Sequence, residues 1–307
     1  MDVSSRPTLG LALSGGGNRS TFYIGFLEVL AEAEFKVDYI AACSGGSLVA
    51  AAYACGTLPE FKEAILRLTK DGLKAFFTKS ANGGGLYSMD LLEEEIRRYT
   101  KGLNFEEVRP FMGFVAVDIE TGEKIVLSMG DIARAVRISC TLPGIFEPIK
   151  WGGKTLVDGG LLSMTPGDVV RQAGVDMSVG VNMRGTKHIF TDNQIAAKKI
   201  FNFLKKVLLI EEVEDLLGNL IKPEDDDISK NPKLFSVLGK SLDLAIMANK
   251  AQPTHAEDCD LMITPDIPPL KRNDFTPEWL RYYYEAGRET AINNLPKLKK
   301  LIQQKTS

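Results

Sequence analysis

The chain is poor in the residues that most often mark chemistry. Its 307 residues include two histidines, His188 and His255, and four cysteines, Cys43, Cys55, Cys140 and Cys259. The cysteines are scattered and no two form a C-x-x-C pair, so zinc and thiol–disulfide motifs have no support and free thiols in a cytoplasm are expected. No run of 18 or more apolar residues occurs, so no spanning helix is expected. The stretch Met1–Pro7 is polar and lacks the apolar core of a secretory leader. Positive charge is not in excess: 37 Lys and Arg stand against 40 Asp and Glu, which argues against a nucleic-acid partner. No Gly-Lys-Ser/Thr follows the glycine loop at Gly15–Gly17, so that loop fails as a Walker loop.

What is present is glycine next to short apolar runs. Thr8–Leu13 reads as a buried strand that stops at Ser14-Gly15-Gly16-Gly17. A helix then opens at Asn18–Ser20, with Phe22, Phe26, Val29, Leu30 and Ala33 on one face. Such a loop presents backbone N–H groups in a concave nest suited to an anion. A phosphate cradle is one reading, though Ser20 stands where the dinucleotide fingerprint has its last glycine. An oxyanion hole is another, with Arg19 adding positive charge or holding the loop. A tight turn with Arg19 in a surface ion pair is the third, and the loop alone does not choose.

Val37–Ala42 is a second apolar run, and Ser47–Cys55 reads as a helix of small residues. Between them Ser44 is followed by Gly45 and Gly46, a G-x-S-x-G pattern with Ala42 in the first position. A strand turning this sharply into a helix exposes the serine hydroxyl at the helix N-terminus, the logic of a nucleophile elbow. The same serine serves equally as a helix N-cap. Cys43 is a rival nucleophile, but the register centres on Ser44. A third run, Thr155–Val157, leads into Asp158-Gly159-Gly160, either a turn or a carboxylate held at a strand end.

The rest of the chain reads as alternating elements. Leu58–Thr69 and Leu91–Tyr99 are amphipathic helices, the second with Glu93, Glu94, Arg97 and Arg98 on a solvated face. Asn82–Tyr87 is a glycine-rich flexible loop with no strand before it. Phe111–Asp118 and Lys124–Met129 form a hairpin, Asp131–Cys140 a helix, and Phe146–Pro148 and Trp151–Lys154 irregular chain. Pro166–Ala173 is a helix, Asp176–Asn182 and Leu261–Pro265 are strands, and Trp279–Asn293 and Leu295–Gln303 are two closing helices. Ile195–Ile221 is a long amphipathic stretch with Lys198, Lys199, Lys205 and Lys206 at its front; it faces a core or lies on an anionic membrane surface. The alternation predicts a three-layer α/β sandwich with a largely parallel central sheet, as a single domain over residues 1–307. The Gly15–Gly17 loop, Ser44 and Asp158 each follow a strand, so all three are expected on one edge of the sheet. Those are the parts of an acyl-transfer site. The order Ser44, Asp158, His255 matches an α/β-hydrolase triad; in the alternative, Asp158 takes the serine proton itself.

Gly15-Gly16-Gly17-Asn18-Arg19, Ala42-Cys43-Ser44-Gly45-Gly46 and Asp158-Gly159-Gly160 together resemble the patatin-like phospholipases in motif, order and spacing. Val117–Glu123, Leu142–Pro148, Asp158–Pro166 and Cys259–Pro265 resemble that family too, so the likeness covers most of residues 8–185 and returns at about 258–295. The resemblance implies a lipid acyl hydrolase of the phospholipase A or lysophospholipase type. Ser44 is its nucleophile and Asp158 its base, and no metal or other cofactor is needed. Gly15, Gly16, Gly17 and Arg19 form the oxyanion hole, and Ala42, Gly46, Gly159 and Gly160 support the two turns. It implies a phospholipid or lysophospholipid substrate and a cytoplasmic protein able to touch a membrane surface, with residues 189–257 as a helical insertion or lid. Three departures stand out: Ala42 for glycine, Gly45-Gly46 where Ala-Gly is frequent, and Ser20 for glycine. Transfer of the acyl group to an acceptor alcohol, and lipid binding without turnover, are the other functions open to this fold.

Overall fold

In the computed structural model, which describes residues 6–81, 83–183, 259–268 and 275–306, the apolar runs become strands of one sheet. The elements in chain order are β1 Leu9–Leu13, a 3-10 turn Gly17–Thr21, α1 Phe22–Glu32, β2 Tyr39–Cys43, α2 Gly45–Ala54, α3 Leu58–Arg67, α4 Lys70–Lys74, β3 Thr78–Lys79 and β4 Gly85–Ser88. They continue with α5 Asp90–Thr100, β5 Phe111–Asp118, β6 Lys124–Leu127, α6 Ile132–Ser139, β7 Gly144–Phe146, β8 Ile149–Trp151 and β9 Lys154–Asp158. Last come a 3-10 turn Gly159–Leu161, α7 Gly167–Gln172, β10 Met177–Val181, β11 Leu261–Ile263 and α8 Pro277–Thr306.

The main sheet runs β11-β10-β1-β2-β5-β9-β8, with β6 also paired to β5. From β11 to β5 every pairing is parallel; β6 and β9 pair with β5 antiparallel, as β8 does with β9. Side chains alternate between two buried faces, as the pleat requires. Leu11, Leu13, Ile40, Ala42 and Phe114 enter the large core with α1, α2, α6 and α8, whereas Ala12, Ala41 and Val115 face Val169 and Val170 of α7. Burial on both faces explains why these strands read as continuous apolar runs. The expected α/β sandwich is therefore the architecture observed.

Four local readings need correction. The glycine run at 82–87 is not a free loop: Gly85–Ser88 is a strand, preceded by β3, in a second sheet β3-β4-β7. Phe146–Pro148 and Trp151–Lys154, read as irregular, contribute the end of β7, the end of β8 and the start of β9, because these strands find partners that local sequence does not reveal. Glu93 does not belong to a solvated face. Its side chain is 13% exposed and it pairs with Arg97, Arg134 and Arg137, the last two supplied by α6. The two closing helices are one. α8 runs through Pro296, because Tyr283, Ala291 and Leu298 on either side of it are buried in the same core. Both histidines, the amphipathic stretch 195–221 and the proposed insertion 189–257 lie outside the described residues.

Candidate active site

Ser44 connects the last residue of β2 to the first residue of α2. Its backbone has φ 47° and ψ −129°, a conformation that costs a residue with a Cβ of order 1–3 kcal/mol. Ser44 caps no helix amide with its side chain, which removes the N-cap reading. Ser47, one turn on, ties the elbow instead: its N–H and its hydroxyl both donate to the Ser44 carbonyl, at 2.8 and 2.6 Å. Gly46 has to be glycine because a Cβ there would meet the carbonyls of Leu13 and Ser14 at 2.9 Å. Ala42 is fully buried, with its side chain in the large core, so the departure from glycine at that position fills core space.

Asp158 is the last residue of β9 and is 2% exposed. It reaches the site from an unexpected direction. β9 is antiparallel to β5, so its end does not lie with the carboxyl ends of the parallel strands by direction. It lies with them by register: Cys43 is opposite Val115, and Asp158 is opposite Ala116, one residue further along β5. The carboxylate accepts the Gly160 N–H at 2.7 Å, and the Cys43 thiol approaches the same oxygen at 3.7 Å. Cys43 is thus buried against the candidate base rather than standing as a nucleophile. Gly159 cannot carry a Cβ, which would lie 2.4 Å from the Val115 carbonyl.

The glycine loop lies against both groups. A Cβ on Gly15 would sit 3.1 Å from Ser44 Cβ and 2.7 Å from Met164 Sδ. A Cβ on Gly160 would sit 2.6 Å from Met164 Cε and 3.1 Å from Asp158 Oδ1. The Met164 side chain therefore spans from the loop to the Asp158 turn. The Gly15 N–H is committed to the Met164 carbonyl at 3.1 Å, whereas the amides of Gly16 and Gly17 meet no acceptor among the described residues. Arg19 is 7% exposed and donates to the Met183 carbonyl at 3.1 Å, just past β10, so it holds the loop. Ser14 and Tyr23 tie the same corner: Tyr23 Oη is 2.9 Å from both the hydroxyl and the carbonyl of Ser14, and Ser14 Oγ accepts the Met183 N–H at 3.0 Å. Burial raises the Tyr23 phenol well above its ordinary range, keeping it a neutral donor.

Sequence reasoning passed over two neighbours of the elbow. Ser139 Oγ accepts the Ser44 N–H at 3.0 Å. Cys140 Sγ lies 3.9 Å from Ser47 Oγ, and burial, with the Asp158 carboxylate adding to it, holds that thiol protonated. Neither residue belongs to a motif; each is found only by its contacts. Among the described residues, no group of three His, Cys, Asp or Glu side chains could hold a metal ion, and no helix is long and apolar enough to cross a membrane.

Comparison with known proteins follows the same residues. The sequence model of the family described as patatin-like phospholipase matches residues 11–170. An uncharacterised NTE family protein of Mycobacterium tuberculosis is 27% identical over 184 residues, covering 60% of this chain and 51% of that one. A second such protein of the same organism is 26% identical over 289 residues, covering 92% of this chain and 46% of its own. Patatin-like phospholipase domain-containing protein 6 of Mus musculus is 28% identical over 194 residues, covering 57% of this chain and 13% of the mouse protein. The chain spans about half the length of the mycobacterial relatives it matches.

Proposed function

The chain belongs to the patatin-like phospholipase family, and from that premise we propose that it hydrolyses carboxylic esters of phospholipids or lysophospholipids and releases fatty acid. Ser44 is the nucleophile and Asp158 the base. The observation that carries this reading is the Ser44 backbone: a strained, positive-φ serine at a strand-to-helix turn whose side chain caps nothing. A serine placed only to start a helix has extended φ and bonds the helix amides.

The chemistry divides into two displacements. Ser44 Oγ attacks the ester carbonyl and its proton passes to the Asp158 carboxylate. The oxyanion of the tetrahedral intermediate is met by the amides of Gly16 and Gly17, with the loop held in place by Arg19. Collapse breaks the bond to the alcohol, which leaves with the proton from Asp158, and Ser44 is acylated. Water then attacks the acyl carbonyl while Asp158 takes its proton. The second intermediate expels Ser44 Oγ, which recovers that proton as the fatty acid departs. Gly15, whose own N–H is engaged by Met164, supports the loop without donating to the oxyanion.

The test uses the purified chain with mixed phospholipid and lysophospholipid vesicles. Fatty acid release, and labelling of Ser44 by a fluorophosphonate, should both be abolished in Ser44→Ala, and release should fall about 10²- to 10⁴-fold in Asp158→Ala. Undiminished release from the Ser44→Ala protein would end the proposal.

A further inference from the structure

β2 and β9 meet end to end along one edge of β5: β2 pairs with residues 111–115 of β5 and β9 with residues 116–118, while β6 pairs with residues 114–117 on the opposite edge. Whatever sets the distance between nucleophile and base has to span the junction where the two strand ends meet. The chain leaving α6 does so. Ser139 Oγ accepts the Ser44 N–H at 3.0 Å and donates to the Val115 carbonyl of β5 at 2.8 Å. Two residues on, the Thr141 carbonyl accepts the Asp158 N–H at 2.8 Å. Ser139 and Thr141 are both fully buried.

We propose that Ser139–Thr141 is a brace that sets the spacing of the dyad, and that Ser139 is the positioning residue for Ser44. The identification of the dyad rests on the hydrolase reading above; the brace itself rests on the hydrogen bonds. A hydroxyl suits this place because it accepts one hydrogen bond while donating another. β2 ends at Cys43, so the Ser44 amide has left the strand ladder, and the Ser139 hydroxyl supplies the acceptor that the sheet no longer offers. The far end of the brace is anchored. Thr141 Oγ1 donates to the Arg137 carbonyl at 2.9 Å. The Arg137 guanidinium is 3% exposed at the side chain and is paired with Asp90 and Glu93 of α5. Ser139 touches no reacting atom; it acts by holding the peptide whose strain aims the nucleophile.

Ser139→Ala removes both bonds and leaves a buried N–H and a buried C=O unpaired. In that variant, amide hydrogen exchange at Ser44 should accelerate at least about tenfold. The kcat for a soluble p-nitrophenyl ester should fall about 100-fold with KM changed less than about twofold, the penalty expected when reacting groups are displaced by about 1 Å. Ser139→Cys, of similar size and still able to donate and accept weakly, should recover part of the loss, and it carries the same measurements if the alanine variant does not fold. Leu298→Ala, on the core face of α8, provides a protein of lowered Tm that should retain its kcat. Unchanged exchange at Ser44 in Ser139→Ala overturns the brace, as does an equal loss of kcat in Leu298→Ala. If the wild-type protein releases no fatty acid while Ser44 exchange still responds to Ser139→Ala, the brace stands and the hydrolase reading fails.

Discussion

Ser20 occupies the space that a side chain on Gly45 would need. A Cβ built on Gly45 would lie 2.5 Å from Ser20 Oγ and 3.0 Å from Ser20 Cβ. These are two of the positions at which the chain departs from the motifs it resembles, a serine where glycine is usual and a glycine where alanine is frequent. In the structure they are a single exchange: volume added to the turn after Arg19 is volume withheld from the first residue of α2. Gly45→Ala alone should cost about 1–3 kcal/mol through overpacking and slow turnover by displacing the glycine loop. Adding Ser20→Gly should restore part of both, not all, since the Gly17 carbonyl would still lie 2.8 Å from the new methyl. The four proteins of the cycle, compared by Tm and kcat, decide this; additive effects would mean the two positions are independent.

A second close approach holds α8 to α1. A Cβ on Gly25 would lie 2.2 Å from the Tyr284 carbonyl, and one on Gly287 would lie 1.9 Å from the Phe22 carbonyl. Backbone cannot yield as a flexible side chain does. Gly287→Ala should lower stability by at least about 1–3 kcal/mol, read as a shift in the urea midpoint. An unchanged midpoint would show that the two helices are not held at this distance in solution.

Acid should loosen the start of the sheet. Asp176 accepts the N–H and the hydroxyl of Thr8, both at 2.8 Å, and those two hydrogen bonds hold its carboxyl below the ordinary value of 3.8. A carboxyl depressed in the folded state adds stability above its unfolded pKa and loses it as pH falls through the folded pKa. Asp176→Ala should therefore lower Tm at pH 7, and its gap to wild type should narrow below about pH 4. A gap that stays constant from pH 7 to pH 2.5 would assign the effect to packing.

The histidines separate a dyad from a triad. His255→Ala and His188→Ala should each keep near wild-type turnover, while Asp158→Ala should lose about 10²- to 10⁴-fold, the usual contribution of a general base. A His255→Ala protein as damaged as Asp158→Ala would assign the base to the histidine.

The strands and helices around the site were legible because their signals are local. Leu9–Leu13 followed by Ser14 and three glycines, and Tyr39–Cys43 followed by Ser44 and two glycines, announce strand, turn and helix within a dozen residues each. The Ser139 and Cys140 contacts were not legible because they join residues about 95 positions apart, and nothing in their own neighbourhood marks them. Glu93 misled for the same reason. Its i,i+4 partner Arg97 is visible in the sequence, whereas Arg134 and Arg137, which bury it, come from another helix.

By itself the sequence determined the class of fold, the order of glycine loop, serine and aspartate, and the family, since apolar periodicity and glycine placement act over short stretches of chain. Tertiary structure alone decided that β9 runs against β5 and delivers Asp158 by register rather than by direction. It decided that Ser44 caps nothing, and that Gly16 and Gly17, not Gly15, have amides without an acceptor among the described residues. Those outcomes depend on which strands share an edge and which carbonyl lies opposite which amide, relations that form only when distant segments pack together.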